Sequence, residues 1–204
     1  HHRYFINRIL NEGYSIDRVI FETESIKPGF ATGPLYERQA KDFELKHFFK
    51  DVTSEIRNVN IETVKNINNS IDSLNILKPD LGLVFGTRKI EPRVIDCFKD
   101  GLLNVHRGNS SKYRGLDSDL WAIYHNDFNN IAVTIHKVSN ELDKGEIYKM
   151  NKMILLPNLK IWQLCYFTTL IATEIVLSAL TDYCNERIEY YPHSKFGRYY
   201  SFMP

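Results

Sequence analysis

The chain has 204 residues, 43% hydrophobic and 25% charged, with 26 Lys and Arg against 25 Asp and Glu for a formal net charge of +1. That length holds one main core with room for a small extension, and the apolar content excludes a disordered chain. A near-neutral balance without any long Lys/Arg run gives no basic stripe, so nucleic acid is not an expected partner.

Three cysteines, Cys97, Cys165 and Cys184, are odd in number and widely spaced. They fit neither a disulfide framework nor a zinc knuckle, which points to a reducing cytoplasm. Cys97 and Cys165 lie among apolar residues and read as small core side chains. No signal peptide is expected.

Arg3 to Asn11 reads as a helix with Phe5, Ile6, Ile9 and Leu10 on one side, closed by Gly13. Asp17 to Glu22 reads as a short strand, Tyr36 to Val52 as a charged amphipathic helix, and Asn58 to Val64 as a weakly alternating strand. A doubly wound domain usually begins with a buried strand. Here a helix stands first, so either a first strand is missing from this sequence or the sheet begins atypically.

Ser70 to Leu77 is helical, and Lys78-Pro79-Asp80 leads into Leu81 to Phe85, a continuous apolar run expected of a strand covered on both faces. Pro92 opens a helix at its first turn. Leu102 to His106 follows as a strand, Leu116 to His125 as a helix, and Ile131 to Val138 as a strand. Glu146 to Leu155 is a strand or hairpin. Leu159 to Tyr183 is a long helix. Its apolar stretch, Ile161 to Leu180, is interrupted by Gln163 and Glu174, and reads as a helix buried on a sheet and not as a membrane span. Strands and helices alternate at intervals too long for hairpins. The expected class is therefore α/β with a mostly parallel twisted sheet flanked by helices. The core is expected over residues 1–155, with a C-terminal helix and aromatic tail over 156–204.

Open α/β sheets bind ligands beyond the carboxyl ends of their strands. That rule selects Gly86-Thr87-Arg88, Asn104 to Gly108, and Ser139 to Gly145. Period two puts Asn104 and His106 on one face, where an amide and an imidazole can hold and polarise a carbonyl oxygen. Asp143, on a loop at the same end, can collect a proton. Bland readings stand beside these: a hydrogen-bonded structural His106, a loop-capping Asn104 and an ordinary Asp-Lys-Gly turn. His136 lies inside a strand and either fills core or lines the site's wall. His47 and His125 look like surface residues. No histidine pair has metal-ligand spacing and no HExxH occurs, so no metal is expected. Neither a GxGxxG nor a Walker loop is present, so no nicotinamide or nucleoside triphosphate is called for.

Five segments occur in order: Leu103-Asn-Val-His106, Tyr113-Arg-Gly115, Trp121-Ala-Ile123, Val133-Thr-Ile-His136 and Leu142-Asp-Lys-Gly145. With Lys78-Pro79-Asp80 and the strand after it, they make the chain resemble the 10-formyltetrahydrofolate-dependent formyltransferases. That family includes glycinamide ribonucleotide, methionyl-tRNA and sugar-nucleotide N-formyltransferases. The resemblance covers about a third of the chain and implies a Rossmann-like formyltransferase fold. It also implies that Asn104 holds the formyl oxygen, that His106 stabilises the oxyanion, and that Asp143 positions a water or takes the amine's proton. By the same analogy the pteridine of 10-formyltetrahydrofolate lodges against Phe85, Gly86, Thr87, Arg88 and Ile90, and against Ser139, Asn140, Glu141 and Leu142.

The departures bear on the acceptor. Many relatives follow the histidine with Ser-Leu-Leu-Pro, and here Arg107-Gly-Asn-Ser-Ser-Lys112 stands instead. Arg107 and Arg114, with Gly108 and Tyr113, are candidates for an anionic or phosphorylated acceptor; the alternative for both arginines is solvent or structural pairing. No large C-terminal domain of the tRNA enzymes and no extra N-terminal domain of the hydrolases is seen. An amino sugar on a nucleotide is the leading expectation. The alternatives are glycinamide ribonucleotide, a formyltetrahydrofolate hydrolase and a noncatalytic folate- or nucleotide-binding module. Tyr190 to Tyr200 reads as a tail covering the sheet edge, with a substrate or homodimer surface as the other reading.

Overall fold

A computed structural model describes residues 1–30, 36–50 and 53–204. Helix α1 (His2–Asn11) buries Phe5, Ile6 and Ile9. Gly13 takes up φ +88 just beyond it, and its N–H donates to Leu10 O. Strand β1 (Arg18–Glu22) pairs in parallel with β2 (Asn60–Val64). Between them lies α2 (Glu37–Phe48), which buries Phe48. The expected end of that helix at Val52 falls on residues 51–52, outside the described residues.

Helix α3 (Ile71–Leu77) ends where Lys78 adopts a left-handed conformation and its N–H returns to Leu74 O. Then come β3 (Gly82–Phe85), a single turn α4 (Pro92–Ile95) with Pro92 leading, and β4 (Leu102–His106). After these lie β5 (Tyr113–Gly115), α5 (Ser118–Tyr124), β6 (Ala132–Lys137), β7 (Ile147–Lys152), α6 (Leu164–Cys184) and β8 (Arg198–Tyr200).

The main sheet has the order β3-β4-β6-β7. β3 and β4 run parallel, while β4–β6 and β6–β7 are antiparallel. The α/β class is as expected, but the sheet is mixed and not mostly parallel. Alternation of strands and helices reports how far apart two strands lie in the chain. It does not report from which end the second one enters, and the β5–α5 excursion returns the chain antiparallel. Strand β3, expected to be covered on both faces, is half-buried throughout. It lies at the edge of this sheet and pairs only with β4 among the described residues. Side chains bridge from the β1–β2 ribbon to the end of β3: Thr87 Oγ1 and Arg88 Nε donate to Glu22 at 2.5 and 2.7 Å.

Helix α6 covers the sheet. Its Ala172, Ile175, Val176 and Ala179 join Leu103, Val105, Val133 and Ile135 in one apolar cluster that also receives Phe5 and Ile9 of α1. The segment Ile161–Cys184 is long and apolar enough to cross a membrane; its packing on β6 and β7 makes it the central helix of this core. Thr168 and Thr173 are buried there with their hydroxyls bonded to Leu164 O and Thr169 O one turn earlier, which satisfies them inside the helix. Cys97 and Cys165, expected in the core, are half-buried. The tail behaves as expected of an edge cover: Tyr191 bridges Ile147 of β7, and β8 pairs with β5.

Candidate active site

The ends of β4 and β6 and the loop after β6 converge on Asp143. Register places Asn104 opposite His136 and His106 opposite Thr134. Both histidines are almost fully buried, at 5% and 2% exposure, and Asp143 is at 8%. One oxygen of Asp143, Oδ1, faces His136 Nε2 at 3.3 Å and accepts from Asn104 Nδ2 at 3.4 Å. The other, Oδ2, faces His106 Nδ1 at 3.4 Å and accepts from the Gly115 N–H at 2.7 Å.

Each imidazole is anchored from behind. His106 Nε2 lies 2.8 Å from Tyr113 O, and His136 Nδ1 lies 2.8 Å from Lys137 O. A carbonyl can only accept, so in each ring the anchored nitrogen carries the proton. The nitrogen facing Asp143 is a lone pair in the neutral ring and an N–H in the cation. Burial alone pushes the Asp143 carboxyl up. The charges of His106 and His136, with the bonds from His136 and Gly115, outweigh burial and hold it well below the ordinary carboxylate range. Asp143 is therefore an anion with two imidazoles aimed at it.

Three glycines make this convergence sterically feasible. A Cβ on Gly145 would sit 1.7 Å from Lys137 O, so only glycine lets the Asp143 loop cross the end of β6. Gly115 has φ +91, and a Cβ there would meet Tyr200 O at 2.2 Å. At Gly108 a Cβ would strike His106 Nε2 and Ser118 Cβ at 2.6 Å.

Asn104, His106 and Asp143 are thus brought together as the sequence suggests, and His136 joins them. Sequence periodicity could not pair His136 with Asn104, because that requires the β4–β6 register. The Gly115 N–H was also missed, since a backbone donor leaves no mark in the pattern of side chains.

The other expected donor-site residues lie about the end of β3 and the loop after β6. Ile90, expected against the pteridine, is 4% exposed and packs with Leu74, Val94 and Leu102. Thr87 and Arg88 spend their side chains on Glu22, and the Arg88 guanidinium also donates to Glu24 O and Lys65 O. Phe85 packs edge-on to Phe5 and under the rings of His1 and His2. Gly86 (φ +68) sits beneath His2. Asn140, Glu141 and Leu142 are exposed beside Asp143, and Ser139 Oγ closes their loop on Glu141 O.

Of the acceptor candidates, Tyr113 is a core residue, 5% exposed, with its hydroxyl donating to Asp127. Arg114 is structural: it donates to Gly197 O at 2.7 Å and to Leu142 O at 3.1 Å, tying the tail to the Asp143 loop. Arg107 is different. It is half-buried and makes no ion pair within 4.0 Å among the described residues, although Asp119, Cys165, Asp117 and Glu44 lie close enough to favour its charge.

The sequence profile of the formyl transferase family matches residues 36–167, and the chain belongs to that family. It is similar to the methionyl-tRNA formyltransferase of Borrelia garinii subsp. bavariensis, with 32% identity over 114 residues, 55% of this chain and 36% of that protein. The chain thus spans about a third of the length of this relative. Among solved structures, its fold is similar to a 4-N formyltransferase from Francisella tularensis (TM-score 0.63, 18% identity, covering 91% of this chain and 76% of that one). It is also similar to the formyltransferase PseJ from Anoxybacillus kamchatkensis in complex with UDP-4,6-dideoxy-4-formamido-L-AltNAc and tetrahydrofolate (TM-score 0.58, 18% identity, covering 91% and 86%).

Proposed function

We propose that this chain transfers a formyl group from 10-formyltetrahydrofolate to a primary amine, with residues 1–155 as the catalytic unit and 156–204 packed on it. The observation that carries this reading is Asp143 held as an anion between His106, His136 and Asn104, in a chain of the formyl transferase family. That donor set suits a carbonyl whose oxygen gains negative charge while an amine loses a proton. Asn104 and the exposed edge Asn140 to Leu142 would hold the donor, and the folate supplies a formyl group already activated for transfer.

Both ring nitrogens of His106 are engaged, one at Tyr113 O and one at Asp143, and Asn104 Nδ2 lies 3.4 Å from Asp143 Oδ1 and 3.2 Å from His136 Nε2. Asn104 would hold the formyl oxygen and a protonated His106 would stabilise the oxyanion, each by turning a donor from its partner in the cluster to the substrate. A proton reaching Asp143 passes on to His106 Nδ1 or His136 Nε2, and the carboxylate stays ionised and stabilises the imidazolium. The proton thus does not stay on the carboxylate; as the bond between the formyl carbon and the folate nitrogen breaks, the cluster gives the proton to that leaving nitrogen, and no net proton is released.

For the acceptor, an amino sugar carried on a nucleotide is the reading favoured by Arg107. Arg107 follows His106 in the chain, and its half-buried side chain, with no ion pair among the described residues, is suited to a phosphate. The similarity to a methionyl-tRNA enzyme favours a second reading, initiator tRNA. The test follows deformylated folate by absorbance with a panel of amino-sugar nucleotides, glycinamide ribonucleotide, aminoacylated initiator tRNA and a no-amine blank. Release that depends on one acceptor class supports transfer and names that class. Equal release in the blank means a hydrolase, and folate binding with no release on any acceptor means a binding module.

A further inference from the structure

Three elements bring a second group of ionisable side chains together beside the first. His1 stands at the start of α1, Glu44 on the inner side of α2 and Cys165 in the first turn of α6. His1 Nδ1 lies 3.2 Å from Glu44 Oε2 and 3.3 Å from Cys165 Sγ, and one ligand atom from each residue falls within 4.8 Å of the others. The main-chain nitrogen of His1 also donates to Glu44 Oε2, at 3.0 Å.

Nδ1 faces both an oxygen and a sulfur at bonding distance. The same spacing suits tetrahedral coordination. Ligands about 2.0 Å (N, O) and about 2.3 Å (S) from a zinc ion lie about 3.3 to 3.6 Å from one another, which is the spacing seen around Nδ1. A route in exists: His1 and Glu44 line a cleft of about 350 Å³ together with Phe21, Lys41 and Phe49.

We propose that His1 Nδ1, Glu44 Oε2 and Cys165 Sγ form a three-ligand site for a divalent transition ion of the zinc class, with water from the cleft in the fourth position. On binding, His1 Nδ1 and the Cys165 thiol each release a proton to solvent, and the imidazole lone pair and the thiolate bond to the metal. The ion would clamp the starts of α1 and α6 to α2. Local spacing gave no sign of such a site because its ligands are 43 and 121 residues apart in the chain.

The test titrates the full chain with Co2+ and follows thiolate-to-cobalt charge-transfer absorption in the near ultraviolet together with tetrahedral d–d bands. One equivalent is expected to saturate both. Cys165→Ser should abolish the charge-transfer band, Glu44→Gln should weaken binding at least about tenfold, and Cys184→Ser should change neither. A parallel measurement avoids reliance on how the variants fold: in the unmodified chain, one equivalent of Zn2+ should shield Cys165 but not Cys184 from alkylation, as read by peptide mass spectrometry. An unshielded Cys165 overturns the proposal. So does cobalt binding that survives both Cys165→Ser and Glu44→Gln, which would be chelation by the His1-His2 pair.

Discussion

The N–H of Gly115 donates to Asp143 Oδ2 at 2.7 Å, a bond between the end of β5 and the loop after β6. Among the described residues it is the shortest polar contact that Asp143 makes, and it fixes the carboxylate between two imidazoles that each approach no closer than 3.3 Å. The bond depends on a backbone conformation that an L-residue with a side chain adopts only under strain. The tail also takes part, since Tyr200 O accepts from the Leu116 N–H and closes over Gly115.

Gly115→Ala should therefore cost more than ordinary backbone strain. Gly101 is the control: it has a similar φ of +89, but nothing lies within 4 Å of the position a Cβ would take. Gly101→Ala is expected to cost about 1 kcal/mol. Gly115→Ala should cost about 3 kcal/mol and displace the tail, because the new Cβ would lie 2.2 Å from Tyr200 O. Urea denaturation of the two variants measures the difference, and equal losses would refute the steric account.

Asp143→Asn keeps the shape of the side chain and removes the charge that both imidazoles face. The native carboxyl is held below its ordinary value of 3.8. Its contribution to stability is therefore complete above that value and is lost as pH falls through the lower native one. The expected gap between the parent chain and Asp143→Asn is about 3 kcal/mol near pH 7, narrowing below about pH 4. Chemical denaturation at a series of pH values checks this. A gap that widens toward acid would mean that the carboxyl is protonated in the native state.

The elements of the fold were legible where one face or both faces of an element are apolar. Leu102–His106 was expected and found with the same ends, and α1, α3 and the α6 region differ from expectation by a residue or two at most, apart from the 3-10 turn that opens the last. Strand direction was not legible, because nothing in Ala132–Lys137 records which end is entered first. Asn104, His106 and Asp143 could be picked out as polar residues at strand ends. Arg114 and Tyr113 could not be told from ligand-binding residues, since their partners, Gly197 O and Asp127, lie on segments whose position only the folded chain defines. The same limit hid the His1–Glu44–Cys165 group.

His106→Ala and His136→Phe separate the two imidazoles. Each removes one of the rings that take up the proton, and each is expected to lower turnover about 100-fold or more while folate affinity stays within a few-fold. If Asp143 acted as the base without either ring, both variants would keep near-normal turnover. Single-turnover rates at saturating donor, with folate affinity measured separately by fluorescence, distinguish the two outcomes. Loss of folate binding in His106→Ala would instead make that ring a packing residue of the donor site.

Arg107→Met tests the acceptor side alone. The substitution keeps the aliphatic stem that fills the half-buried position and removes a guanidinium that has no ion pair among the described residues. Stability should therefore change little, within about 1 kcal/mol. If the guanidinium meets a phosphate of the acceptor, KM for a nucleotide-linked amine should rise about 10- to 100-fold, as for loss of a charge-assisted hydrogen bond worth about 1.5 to 3 kcal/mol, while kcat stays within a few-fold. The salt dependence of kcat/KM should also flatten in the variant. Transfer to a small uncharged amine provides the internal comparison, and its rate should be the same in both proteins. A drop in kcat with unchanged KM would move Arg107 from holding the acceptor to stabilising the reaction itself, and an unchanged KM and kcat would remove it from the site.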